Sequence, residues 1–403
     1  MPFPNPYRGL RGLPAETWII AATTLVNRAG MMALPFLVLY LTRYLHVSAS
    51  VAGLAISAYG VGGLVTAPVA GRLADRVGPF AVMRASLALS GVLLLVMPLA
   101  RNIVVIFALT FLWALVADAA RPATMSALTG SASPDQRKAA IALNRLAVNL
   151  GMSIGPAVGG FLAMVSFPLL FVVDGITSLV AAAVLSLLLY ARHRSTRATP
   201  EQHRELAAAR AAVFSKSSVV WRDRPALLLF AASFCINIVY AQEQGAMPLY
   251  LVRDLGYRES FYGGLFVLNT LIIVALEVPL NVAMARWPAR PALTFATVLI
   301  AVGFGALSVA RSVGAIGLTV VIWTFGEMIY FPTATAQVAH LAPEGRTGEY
   351  MGAFASTFSL ALIIGPWVGA TLLDRIGGPL TWLVMLACGL LAAALAARRV
   401  EPR

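Results

Sequence analysis

Seven ionisable side chains stand inside runs of sequence that are otherwise apolar. The acids are Asp118, Asp174, Glu243, Glu277 and Glu327; the bases are Arg28 and Arg145. A carboxyl withdrawn from water favours its proton-bound form, so such an acid can load and release a proton. An arginine stays charged, so at depth it holds an acid ionised or binds an anionic group. The plainest case is LVNRAGMMALPF, residues 25–36, where Arg28 interrupts a stretch with no other charge. For Arg28 and Arg145 alike, a structural ion pair is the competing reading. Other chemistries find less support. Gly151-Met152-Ser153-Ile154-Gly155 fits G-x-S-x-G, but that motif needs a strand–turn–helix and a histidine partner. The four histidines, His46, His193, His203 and His340, all fall at the ends of apolar runs or between them. No G-x-x-x-x-G-K-[ST] loop is present to bind ATP. Cys235 and Cys388 both lie in apolar runs, which argues against a disulfide framework. We expect no catalytic residue, no metal site and no cofactor.

The elements that carry these residues follow from composition. The chain has 403 residues, 59% hydrophobic and only 12% charged, where a soluble domain carries about a quarter charged residues. Lipid is the expected solvent. A bilayer crossing takes about 20 apolar residues as a helix, and helix is forced because lipid offers no partner to backbone N–H and C=O groups. Twelve runs qualify: 17–43, 49–70, 80–100, 102–125, 138–164, 167–190, 226–251, 259–283, 290–310, 313–338, 347–373 and 379–397. Almost the whole chain is thereby assigned, leaving no room for a large domain outside the membrane. The N-terminus shows no cleavage site after a short apolar core, so the first helix is expected to stay.

The net charge of +13 reflects topology rather than a nucleic-acid partner. With both termini in the cytoplasm, 22 of the 30 Lys and Arg residues fall on that side and six fall outside, leaving Arg28 and Arg145 within spans. That bias fits the positive-inside rule. The expected place is the bacterial inner membrane. The longest connection, 191–224, divides six spans from six. Within it Thr199-Pro200-Glu201-Gln202 reads as a capping box that opens a short amphipathic helix reaching about Phe214.

The two sets of six spans are related. LYLTRYL (39–45) returns as LYLVRDL (249–255), and IGPAVGGFL (154–162) as IGPWVGATL (364–372). Asn27 matches Asn237, Gly53 matches Gly263 and Pro122 matches Pro332. Every pair is 210 residues apart, as Leu39 is from Leu249. The chain therefore reads as an N-terminal six-helix half (1–190), a linker (191–224) and a C-terminal six-helix half (225–403). Parallel repeats of this kind place a binding site between the halves near the midplane.

With these features the sequence resembles the major facilitator superfamily. GRLADRVG (71–78), between spans 2 and 3, matches the family's loop signature, and GMSIGPAVGG (151–160) on span 5 resembles the Gly-Pro signature of its antiporter branch. Within the superfamily the nearest likeness is to twelve-helix drug:proton antiporters. The first span also resembles that of proton-coupled peptide transporters, although their paired glutamates before the arginine are absent. The resemblance implies an all-α polytopic membrane protein of twelve transmembrane helices in two pseudo-symmetric halves. It implies gating by Gly71, Asp75 and Arg76, with Asp118 and Arg121 beside them. It ties Gly151, Gly155, Pro156, Gly159 and Gly160 to the bending and packing of span 5. It implies a cavity lined by spans 1, 4, 7 and 10. That favours Glu243 and Glu327 for proton coupling or substrate contact, with Arg28 within reach of one of them. Glu277 closes a gate or pairs with Arg145 on this reading, and Asp174 is structural. Asn27, Asn149, Asn237, Tyr240 and Tyr330 are expected to line the cavity.

The function expected is a proton-coupled secondary active transporter, an exporter of drugs or other amphipathic small molecules by alternating access. The alternatives are proton-coupled uptake of peptide-like solutes and a non-transporting receptor on the same fold. The partners expected are a small-molecule substrate, protons and membrane lipid, with no nucleic acid, and the protein is expected to be a monomer.

Overall fold

A computed structural model describes residues 12–133, 135–190, 220–284, 286–343 and 346–398. These are helical almost throughout, with no strand among them. Eleven helical segments are long and apolar enough to cross a membrane. The last, Thr347–Ala397, has 51 residues, roughly 75 Å of helix and more than twice a bilayer's need. Gly377 stands within it at φ 78° and ψ 168°, so two helices meet there. Glycine alone takes that backbone without strain. Counted arm by arm, the described spans number twelve.

The chain divides into two compact units, 1–33 with 62–207 and 34–61 with 208–403. The first unit holds α1 (Ala15–Gly30), the C-terminal part of α3 (Ala49–Val77), α4 (Pro79–Val96), α5 (Ile103–Ala117), α6 (Ala120–Ser131), α7 (Arg137–Val165) and α8 (Phe167–Tyr190). Helix α1 packs on α7 and α8, and α4 packs on α5 and α8. Small side chains let these helices approach closely: Ala74, Ala123, Ala127, Ala140, Ala147 and Ala181 are all buried in one cluster with Ile20 and Leu128. Span 4 is broken between α5 and α6 at Asp118–Ala119. Carbonyls beside the break also accept from donors on neighbouring spans. Thr66 Oγ1 donates to Leu115 O at 2.9 Å and Ser86 Oγ to Val116 O at 2.6 Å.

The second unit holds α2 (Ala33–Leu39) past its first residue, the start of α3, α9 (Arg224–Tyr240), α10 (Glu259–Met284), α11 (Ala289–Gly305), α12 (Val313–Leu341) and α13 (Thr347–Ala397). Helix α9 packs on α13, α11 packs on α12 and α13, and α10 packs on α12. The repeated heptapeptides give the same local structure twice: Tyr40–Tyr44 and Leu249–Asp254 are both π-helical turns. Helix α3 lies against α13 at Gly53, where a Cβ would come within 2.8 Å of the Pro366 carbonyl oxygen. This contact tolerates no side chain.

One expectation changes. The signature GRLADRVG is not a loop. Helix α3 runs through Val77, so seven of its residues are helical and Gly78 alone, at φ 90°, turns the chain into α4. Pro79 starts α4 at a position where a missing N–H costs nothing. The amphipathic helix expected in the linker lies outside the described residues.

Candidate functional site

The second unit assembles a polar centre around Glu327, near the middle of α12. Its carboxylate accepts from two neutral donors on two other spans. Tyr240 OH, at the end of α9, donates to Oε1 at 3.1 Å, and Asn269 Nδ2, on α10, donates to Oε2 at 3.0 Å. Asn269 Nδ2 also donates to Thr324 Oγ1, one turn before Glu327, at 3.0 Å. Aromatic rings close in behind Tyr240, with Trp323 edge-on at 6.0 Å and Phe331 at 5.6 Å between centroids. Glu243 lies three residues beyond Tyr240 and is only 8% exposed; it interacts electrostatically with Glu327. Tyr240 and Asn269 are uncharged donors that orient Glu327. Two carboxyls in one apolar setting repel when both are charged.

Glu243 owes its position to a break in span 7. Helix α9 ends at Tyr240, a 3₁₀ turn covers Ala241–Glu243, and helix resumes at Ala246. The fully buried Gln242 holds this break. Its Nε2 donates to Ile238 O and to Gly365 O of α13, each at 2.9 Å. Tyr262 OH donates to Glu243 O at 2.8 Å. Pro248, which lacks an N–H, is the sequence signal for the interruption.

The first unit holds a second polar centre, at a break in span 1. Helix α1 ends at Gly30 and α2 starts at Ala33. Pro35 follows, again without an N–H to offer the turn before it. Asp174 of α8, 2% exposed, crosses to this break, and its Oδ2 accepts from Met32 N at 3.2 Å and Ala33 N at 3.1 Å. The carboxylate thus caps the start of α2 from another helix. Arg28 lies in the last turn of α1; its Nη1 contacts Met31 Sδ at 3.0 Å and its charge acts on Asp174. Asn27 Nδ2 donates to Ser178 Oγ at 3.2 Å, one turn beyond Asp174. Span 5 backs the break with glycines: a Cβ on Gly155 would meet Met31 O at 2.8 Å and Arg28 O at 3.0 Å, and Gly151 lies against Arg28.

The structure therefore brings Arg28 together with Asp174, an acid the sequence reading set aside as structural. Glu243 and Glu327 lie with Tyr240 in the second unit. Asn237, 3% exposed, donates from Nδ2 to Thr357 Oγ1 at 3.4 Å, and Tyr330, 1% exposed, donates to Ser233 Oγ at 2.7 Å. Both tie helices of the second unit together. Arg145 is exposed on α7 in the first unit, where Asn149 is half-buried; Glu277 is half-buried on α10 in the second. Arg76 is exposed in the last turn of α3, while Gly71 and Asp75 occupy that same helical end. Asp118 pairs with Arg121 at 3.5 Å. Gly159 and Gly160 follow Pro156 in α7.

Sequence reasoning passed over three features: the Asp174 cap, the Gln242 clamp, and an ion pair joining Arg43 to Glu259 at 2.5 Å. The first two had a signal, a proline a few residues after a polar or glycine-bearing stretch within an apolar run. The third joins residues 216 apart and left no local trace.

Known proteins match most of the chain. A family model described as Major Facilitator Superfamily matches residues 20–366 and 244–403. The chain is 26% identical over 364 residues to the uncharacterized MFS-type transporter YqjV of Bacillus subtilis, covering 90% of this chain and 87% of that one. It is 24% identical over 336 residues to Multidrug resistance protein 1 of the same organism, covering 82% of each. A POT family transporter solved in complex with a thioalcohol-conjugated peptide superposes with a TM-score of 0.79 over 96% of both chains, at 14% identity. That likeness is one of fold.

Proposed function

Because this chain belongs to the Major Facilitator Superfamily, whose members are membrane transporters and not enzymes, we propose that it is a proton-coupled exporter of amphipathic small molecules. The observation that carries the reading is Glu327, held by Tyr240 and Asn269 beside the buried Glu243. A proton and a cationic substrate would compete for that centre. Each displaces the other, which is the essence of antiport. The faces of Tyr240 and Phe331 suit an aromatic or cationic group. The name of the multidrug relative supports the substrate class.

On this reading the halves 1–190 and 225–403 rock about the midplane, linked by 191–224, in a monomer with both termini in the cytoplasm. The end of α3, with Gly71, Asp75 and Arg76, gates the cytoplasmic side together with Asp118 and Arg121.

The test is purified protein in liposomes under an imposed pH gradient. It is offered cationic drugs, neutral drugs and dipeptides while internal pH is followed. Gradient-driven flux of amphipathic cations with counter-movement of protons is expected. Flux of dipeptides alone would replace the exporter with an uptake system, and no flux with any panel would remove the transport reading.

A further inference from the structure

The sequence has two cysteines, and they lie against each other. Cys388, on the second arm of α13, donates from Sγ to the Cys235 carbonyl oxygen of α9 at 3.5 Å. Both are free and half-buried. A core residue touches about 6–12 others. A second cysteine placed at random among 403 positions would fall beside the first in roughly one case in forty. Cys235 lies 11 residues after Arg224 and Cys388 lies nine before Ala397. Both are thus about 14–17 Å from their helix ends, well inside the apolar layer. An oxidant that reaches them must dissolve in lipid.

We propose that Cys235 and Cys388 form an oxidation site, a dithiol that closes to an intramolecular disulfide when a membrane-soluble organic hydroperoxide reaches it. The Cys235 sulfur attacks the terminal oxygen of the hydroperoxide. An S–O bond forms, the O–O bond breaks, and the alcohol leaves with the thiol proton, giving a sulfenic acid. The Cys388 sulfur then attacks the Cys235 sulfur. An S–S bond forms, the S–O bond breaks, and water leaves with the second thiol proton. Two thiols are oxidised by two electrons and one hydroperoxide is reduced to an alcohol and water. The helices already pack on each other where the cysteines stand. Closure fastens to α13 the part of α9 that carries Ser233, Asn237 and Tyr240. The site is independent of the substrate reading.

The test treats reduced protein in liposomes with cumene hydroperoxide, alkylates with N-ethylmaleimide and maps peptides by mass spectrometry. A peptide pair joined through Cys235 and Cys388, lighter by two hydrogens, reversed by dithiothreitol and monomeric on a non-reducing gel, is expected. In Cys388→Ser the reaction should stop at a Cys235 sulfenic acid that dimedone traps. Two alkylated cysteines in protein whose methionines have been oxidised would overturn the proposal, as would cross-links only between chains. Mapping the unsubstituted protein decides the matter even if the variant does not fold.

Discussion

Span 1 loses its helical bonding at Met31–Met32 and span 7 at Ala241–Glu243, matching places in the 210-residue repeat. The two breaks are held by different chemistry. A carboxyl group, Asp174, caps the first from α8; an amide, Gln242, clamps the second to α13. The difference extends to the flanking charges. Val384 and Ile238 stand in the C-terminal half where Asp174 and Arg28 stand in the N-terminal one. Ala33 and Ala117 stand where the C-terminal half has Glu243 and Glu327. Each acid therefore has an apolar counterpart. Duplicated helices supply one scaffold twice, and ionisable chemistry is placed on one copy at a time. In the first unit Asp174 is engaged with the break itself. In the second an uncharged amide holds the break, and Glu327 joins Tyr240 and Asn269 away from it.

That division can be broken most sharply at Glu327. Glu327→Gln keeps the size of the side chain and an oxygen for Tyr240 or Asn269 but removes the titratable group. Gradient-driven transport should fall to background while substrate binding, followed by tryptophan fluorescence, persists. Persisting proton-driven flux would place the coupling elsewhere. Asp174→Leu should instead act on the fold. It strands the Met32 and Ala33 N–H groups in a buried site, at about 1–3 kcal/mol each. A thermal-melting midpoint in detergent should drop by several degrees, with Asp174→Asn milder because an oxygen remains. Val384→Leu, its counterpart, should cost far less. If the two leucine variants melt alike, the Asp174 cap is not what holds span 1.

The spans were legible because lipid leaves the backbone no alternative to helix, so twenty apolar residues suffice to place one. The repeat was legible because identical residues at one offset need no structure to be seen. Glu243 and Glu327 were legible as acids within apolar runs. Asp174 was not, because its role depends on two backbone N–H groups 142 and 141 residues away, and only the break in span 1 exposes them. The helical end of GRLADRVG was missed for a related reason. Its charges suggest a loop, yet α3 is long enough to carry them past the apolar layer.

Two smaller substitutions sharpen the comparison of the breaks. Gly155→Ala drives a methyl toward the Met31 and Arg28 carbonyls, backbone that cannot swing aside, whereas Gly365→Ala meets chiefly the Ala241 methyl at 2.9 Å. Overpacking costs about 1–3 kcal/mol, and Gly155→Ala should lie at the upper end of that range in thermal melting. Gln242→Leu removes two hydrogen bonds of about 1 kcal/mol each but strands no N–H, so its loss should stay below that of Asp174→Leu. The reverse order would mean that span 7 depends on its clamp more than span 1 depends on its cap.

The smallest effect on stability should come from Arg43 and Glu259. Their side chains are 44% and 11% exposed, and a pair with one partner in solvent contributes about 0.2–1 kcal/mol. Glu259→Gln should barely move the melting midpoint. The pair sits, however, where segments of the first six spans pack within the second unit. Tyr262 OH donates to Pro35 O, Thr371 and Ser50 share a hydrogen bond at 3.1 Å, and Gly53 touches Pro366. If alternating access parts these contacts, the pair biases an equilibrium between conformers rather than folding. A single kcal/mol then changes populations about fivefold. Ser57, 7% exposed in this stretch of α3, offers the measurement. A cysteine there, on a Cys235→Ser/Cys388→Ser background, should be alkylated several times faster once Glu259 is Gln. An unchanged rate with an unchanged melting midpoint would reduce the Arg43–Glu259 pair to a surface contact with no part in opening.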